Sequence, residues 1–270
     1  FFQPRPPNFL EDEVFLFLTC ILFVNYRKKI LLLDVETVSQ VASGDQLNEE
    51  VATLWREKYQ QIKKRSPEKY DEEDDEILAL PDMGLFAEFG KIVCISFGFL
   101  FHGKSDEEII RVTSICDVDE RLLLEKFCRV LHKIGNAGYY LCGHNAREFD
   151  IPYIARRIII NQIKLPTILI NAKKKQWESP VIDTMDLWKF GEYKHYTSLK
   201  LLCNTLGVKS PKDDIEGKDV YRVYYHERDL KRIAHYCEND VIATAQVYIR
   251  LAENRNTESL KVERVEWSDV

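Results

Sequence analysis

The sequence predicts an α/β fold, a mixed five-stranded sheet flanked by helices. Three observations lead there. Lys29 to Val35 (KILLLDV) is a continuous apolar run ending in acid, the pattern of a central strand covered on both faces. Two more apolar runs, Lys91 to Phe101 and Glu108 to Ser114, are joined by a glycine-containing turn at His102 to Ser105 and read as a hairpin. After the hairpin, stretches of helical periodicity alternate with short strands, the order expected of a sheet with helices packed on it.

Taken in order, the first strand is followed by a polar insertion at about 44–83. It holds a helical stretch around Glu49 to Lys64, then Ser66-Pro67 and the acidic run Asp71 to Glu76, most simply a solvated loop. Leu122 to Ile134 has helical periodicity, and Gly138 to Cys142 is a fourth strand. In the helix after it, Ile151, Ile154, Ala155, Ile158 and Ile159 mark one face. A short strand at Val181 to Asp183 completes the five. A helix with Ser198 as N-cap follows, then a long helix from about Glu227 to Leu251, whose buried stripe runs through Leu230, Ile233, Ala234, Cys237, Val241, Tyr248 and Leu251.

The 270 residues, 45% hydrophobic with nine prolines and eleven glycines, suit one sizeable core. We divide them into an N-terminal extension at 1–26, one domain at 27–253 and a C-terminal tail at 254–270. Within the extension, Val14 to Val24 is almost wholly apolar but too short to span a bilayer. Acids precede it and basic residues follow it, the reverse of a secretory signal, so no stable membrane association is expected. The net charge of -6 lacks the basic footprint of a protein that coats duplex nucleic acid. Local basic candidates are Arg147, Arg156, Arg157 and Lys173 to Lys175. Seven cysteines without a CxxC pair, several inside apolar runs, fit buried free thiols in a reducing cytoplasm.

The chemistry-bearing residues are acids. Asp34 and Glu36 are two apart on a strand, so both leave the same face. Side by side they repel unless a cation neutralises them, and hard oxygen ligands suit Mg²⁺ or Mn²⁺. A strand running out into polar loop would look the same. Asp150 sits where a strand meets a helix, with Pro152 in the first turn, and alone reads as an N-cap. Tyr236 and Asp240 are one turn apart on the flank of the last helix's buried stripe, where packing and surface charge are the ordinary explanations.

Their order is more informative. DVE at Asp34 to Glu36, GHNAREFD from Gly143 to Asp150 and YCEND from Tyr236 to Asp240 resemble the three motifs of the DEDD exonucleases in their tyrosine form. The DVET start and the GHN-x-x-x-FD-x-PY wording are most similar to the proofreading domain of family B DNA polymerases, as found in stand-alone bacterial proteins without a polymerase. The likeness runs from about Lys29 to Leu251 and takes in AEFGKIVCIS, DTMDLW and TSLKLLCNTLGV.

That resemblance implies an RNase H-like fold and a two-cation 3′→5′ exonuclease, using Mg²⁺ or Mn²⁺, that releases nucleoside 5′-monophosphates from a single-stranded nucleic acid 3′ end. Asp34, Glu36, Asp150 and Asp240 would hold the cations, with Asp34 bridging, and Tyr236 would orient water. His144 and Asn145 stand where contact with the terminal nucleotide or positioning of Asp150 is implied, and a structural role, tying the loop backbone together, is the alternative. Thr37 is placed to meet the 3′ end. Phe149 either wedges against the terminal base or belongs to the core, and Asp183 and Asp186 read as structural. Closeness to polymerase domains favours DNA over RNA. An exoribonuclease would share the same acids, and a non-catalytic nucleic-acid-binding module is the alternative from another class.

Overall fold

The computed structural model describes residues 29–65, 80–102, 107–192, 196–209 and 214–266. The extension at 1–26, the acidic run at 71–76 and most of the hairpin turn lie outside the described residues. The strands are β1 (Ile30–Ser39), β2 (Gly90–His102), β3 (Glu108–Cys116), β4 (Tyr140–Gly143), β5 (Val181–Asp183) and β6 (Lys261–Arg264). The longer helices are α1 (Glu49–Arg65), α2 (Glu120–Asn136), α3 (Asp150–Ile160), α4 (Thr167–Ala172), α5 (Thr184–Lys189), α6 (Leu199–Leu206) and α7 (Leu230–Ala252).

One sheet runs β5-β4-β1-β2-β3-β6. β2 is antiparallel to both β1 and β3, while β4 lies parallel to β1, β5 to β4 and β6 to β3. The α/β expectation therefore holds, with one correction: the sheet has six strands, because the tail contributes β6. Lys261 to Arg264 is short, charged and mostly exposed, so it carries no apolar alternation to announce a strand. A second correction concerns β1, which continues four residues past Val35. Asp34 and Glu36 lie inside the strand, just before a β-bulge between Glu36 and Thr37.

The parity of β1 organises the core. Leu31, Leu33 and Val35 face Phe127, Leu131, Ile154 and Ile158 of α2 and α3. Ile30 and Leu32 face Val241, Ile242, Ala245 and Ile249 of α7. Side chains alternate along a strand, so Asp34 and Glu36 continue the α7 side. From Val241 to Ile249 every residue of α7 is buried, because α6 covers the helix from behind through Leu202 and Cys203, joined by Val208 just after it. The single stripe expected of this helix holds only for its first turns. Ile159 is also corrected, being 57% exposed.

Capping follows the sequence. Ser198 accepts from Leu201 N–H and Gly207 closes α6 in the left-handed region, while Asp229 accepts from Arg232 N–H to start α7. α1, in the polar insertion, buries Trp55 and Tyr59 against Leu80, Met83, Phe86 and Phe89.

Arg157, a candidate substrate contact in the sequence, is instead buried and paired with Glu120 at 2.5 Å. Its Nη1 donates to Ala87 O at 2.8 Å, and Glu120 also accepts from Ile92 N at 2.7 Å and Asn161 Nδ2 at 2.9 Å. This hub joins α2, α3 and the loop entering β2. Removing one partner of a buried, hydrogen-bonded pair leaves an uncompensated charge, so Arg157→Ala should cost about 3–5 kcal/mol. A urea titration checks it: the midpoint should fall with an unchanged slope, and Arg157→Lys should recover only part, since lysine lacks the planar fork.

Candidate active site

Three elements bring the acids together. β1 supplies Asp34, half-buried, and Glu36, which is buried. α3 opens with Asp150, which is 4% exposed and accepts Val35 N–H on Oδ1 at 3.2 Å, fixing its carboxylate to the strand between the other two. α7 supplies Tyr236 and Asp240, both half-buried, with the Tyr236 hydroxyl hydrogen-bonded to Asp240. Gly217 lies under that hydroxyl, and a Cβ there would stand 3.9 Å from it.

Electrostatics show how close the groups are. Burial holds the Asp34 carboxyl well above its ordinary range, and the Cys237 thiol, Asp150, Glu36 and Asp240 each add to the rise. Glu36 is raised in the same way, by burial first and then by Cys237, Asp240 and Asp150. Burial lifts Asp150 to about 7, against the opposing effect of its backbone hydrogen bonds. Tyr236 is pushed up by burial and by Glu36, Asp240 and Asp34, so its hydroxyl keeps its proton. Buried carboxylates that raise one another are the donor set a hard divalent cation would relieve.

Cys237 was missed. Its thiol donates towards Asp34 Oδ2 at 3.3 Å and Asp34 O at 3.4 Å. The potential ligand atoms of Asp34, Glu36 and Cys237 all lie within 4.8 Å of one another. The sequence placed Cys237 on the buried stripe of the last helix. Only the parity of β1 reveals that this stripe passes over Asp34.

The second-motif loop is held by contacts within the fold. Gly143 ends β4 against β1, where a Cβ would meet Ala146 Cβ at 2.5 Å and Leu33 O at 3.1 Å, so only glycine lets the two strands approach. Asn145 has φ 60°. Asp183 gathers the loop, its Oδ1 accepting Asn145 N–H and Met185 N–H and its Oδ2 accepting Arg147 N–H, each at 2.9 Å. His144 bridges Thr184 Oγ1 at 2.9 Å and Thr197 O at 2.8 Å, so both ring nitrogens are engaged, and burial lowers its pKa. Phe149 packs on the core with its ring 5.4 Å from Tyr153. Thr37 Oγ1 donates to Gly84 O at 2.7 Å. Arg147 is tied to Asp186 and Val181 O, whereas Arg156 and Lys173 to Lys175 are exposed.

Residues 85–268, more than half of the chain, match the model of a family described as predicted 3′–5′ exonucleases related to the exonuclease domain of PolB. The chain belongs to this family. The match begins after β1, so Asp34 and Glu36 stand ahead of it. Among solved structures, a family B DNA polymerase from the hyperthermophilic archaeon Pyrobaculum calidifontis is similar at 12% identity and a TM-score of 0.48. That likeness covers 83% of this chain and 24% of the polymerase chain. The chain thus spans about a quarter of that polymerase's length. No curated protein matches it. Among the described residues, no helix is long and apolar enough to cross a membrane.

The raised carboxyls set a pH dependence for the cation-free protein. A carboxyl whose folded pKa exceeds its unfolded value binds its proton more tightly when folded. Its contribution to stability is complete below about pH 4 and is lost as pH rises through the folded value, about 7 for Asp150. In chelator, the melting temperature should therefore fall from pH 5 to pH 8. Asp34→Asn should flatten that slope and raise the pH 8 value by about 2–4 °C for each kcal/mol of repulsion removed. Adding Mn²⁺ should stabilise the parent protein and leave the variant nearly unmoved, a contrast readable by calorimetry.

Proposed function

We propose that the exonuclease removes nucleoside 5′-monophosphates one at a time from the 3′ end of single-stranded DNA, at a two-cation site of Mg²⁺ or Mn²⁺ held by Asp34, Glu36, Asp150 and Asp240. The observation that carries this reading is the meeting of four carboxylates from β1, α3 and α7, with Asp34 and Glu36 each raised by the other acids. The donors are hard oxygens on rigid elements and fit such cations. When bound, the cations would lower the pKa of the attacking water and neutralise charge on the scissile phosphate and the leaving 3′-oxygen.

The chain's own groups supply position and exclusion. Asp34 would bridge the cations; Glu36 and Asp240 would complete the side that activates water, and Asp150 the side of the leaving group. The Tyr236 hydroxyl, held by Asp240 and kept protonated, would orient the water rather than deprotonate it. His144 and Asn145 would act chiefly through the loop that places Asp150, and Phe149 through packing. Thr37, beside the acids, would meet the 3′ end through its backbone, since its hydroxyl is engaged with Gly84. The thiol of Cys237 against Asp34 suits a reducing compartment such as the cytoplasm.

The test is digestion of 5′-labelled single-stranded DNA, and of RNA of the same sequence, with Mn²⁺ or Mg²⁺. A ladder shortening from the 3′ end should form on DNA and vanish for Asp34→Ala and Asp240→Ala. Tyr236→Phe should keep KM and lower kcat by about 100-fold. Faster shortening of RNA would transfer the assignment to an exoribonuclease. No cation-dependent shortening of either polymer would overturn the reading in favour of a binding module.

A further inference from the structure

The helix that carries Tyr236 and Asp240 is also held by β6, the strand at the end of the sheet order. The Arg264 guanidinium reaches from β6 across β3 to α7, where Nη1 pairs with Glu238 and Nη2 donates to Asn239 Oδ1. Glu238 and Asn239 immediately precede Asp240. Asn239 is 1% exposed, so its contact with Arg264 is enclosed. Glu238 Oε1 also accepts from Ser114 Oγ on β3 at 2.8 Å, and Ser114 Oγ lies 2.7 Å from Ser96 Oγ on β2. The first turns of α7 are thus pinned to β1 by Cys237, to β3 by Glu238 and to β6 through Arg264.

We propose that Arg264 is a positioning residue of the nuclease site: by fixing Glu238 and Asn239 it sets where Asp240 and Tyr236 stand relative to Asp34 and Glu36. The inference rests on the cation-site reading above. A planar guanidinium meets two adjacent side chains at once, which a lysine ammonium cannot reproduce in the same geometry. The helix between residues 238 and 240 is regular and backed by buried packing, so a shift at Glu238 is carried to Asp240. Displacing a catalytic group by about 1 Å can cost on the order of 100-fold in rate. β6 also lies within the residues that match the family.

The same strand provides the control. Arg111 on β3 pairs with Glu263 on β6 at 2.8 Å; that pair helps hold the strand without joining Arg264's contacts on α7. The experiment compares the full chain with Arg264→Ala, Arg264→Lys and Arg111→Ala. Mn²⁺ affinity is read by electron paramagnetic resonance, and kcat and KM on a single-stranded oligonucleotide are measured in parallel. Arg264→Ala should weaken Mn²⁺ binding about tenfold and lower kcat with KM unchanged. Arg264→Lys should recover part of both, and Arg111→Ala should bind Mn²⁺ as the parent does. Equal loss in Arg264→Ala and Arg111→Ala would reduce β6 to a structural strand and overturn the inference. So would parental Mn²⁺ affinity in Arg264→Ala. Should Arg264→Ala fail to fold, Arg264→Lys decides: parental affinity there overturns the inference, and partial loss supports it. A parent protein that binds no Mn²⁺ would remove the cation-site reading and the inference together. Binding in the parent with an unaffected Arg264→Ala removes only the inference.

Discussion

Like charges confined between a strand and a helix are the constraint around which this molecule is built. Asp34 and Glu36 sit on the inward face of a central strand, continuing at two-residue spacing the apolar pair Ile30 and Leu32 that seats α7. That face is dry where the helix covers it and acidic where the strand runs on. A chain left to minimise its own energy would not place carboxylates there, since burial and mutual repulsion both oppose their ionisation. They persist because the surroundings over-determine the backbone. β1 is hydrogen-bonded on both sides, and Asp150 accepts the N–H of the residue between them. This is the stability a binding site gives up, and a cation would restore it.

Rigidity around the acids comes from neutral and paired polar groups that touch no acid of the cluster directly. Asp183, buried at the end of β5, gathers backbone N–H groups from the second-motif loop and caps α5. His144 then links that loop to Thr184 at the start of α5 and Thr197 before α6. On the other side, Arg157 and Glu120 fasten the loop that carries Ala87, while Thr37 and Tyr153 both donate to Gly84 O. Residues that the sequence offered either as substrate contacts or as structure, His144 and Asn145 among them, have contacts within these loops. Polar side chains beside a motif have two ways to matter, and geometry is needed to separate them.

How much of this was legible follows from which signals are local. β2, β3 and β5 were readable because apolar runs and turn residues are local, and Ser198 was readable as a cap because capping spans three residues. The placement of Asp34 and Glu36 on one face followed from strand periodicity alone. β6 was not readable, because its pairing with β3 rests on backbone hydrogen bonds and on Arg111, Arg264 and their distant partners rather than on any pattern of its own. α4 escaped for a related reason: six residues after Pro166 are too few to establish a period. Cys237 was visible as buried, but its proximity to Asp34 depends on the register of a helix against a strand some two hundred positions earlier.

The compactness of the third motif has a geometric reason. Successive residues on a helix point about 100° apart, so a run of five samples the whole circumference. Tyr236 and Asp240, one turn apart, share the flank that meets Glu36. Cys237 turns inward to Asp34. Glu238 turns towards Ser114 on β3, and Asn239 is enclosed beside Arg264. The side chains of YCEND thus meet Glu36, Asp34, Ser114 and Arg264 around the helix, and none of the five is fully exposed. The helix is therefore located in rotation as well as in depth by the same five residues that furnish an acid and a hydroxyl to the site. A rotation large enough to improve any one contact would break another, which is why a short contiguous stretch can hold a chemical constellation to narrow tolerances.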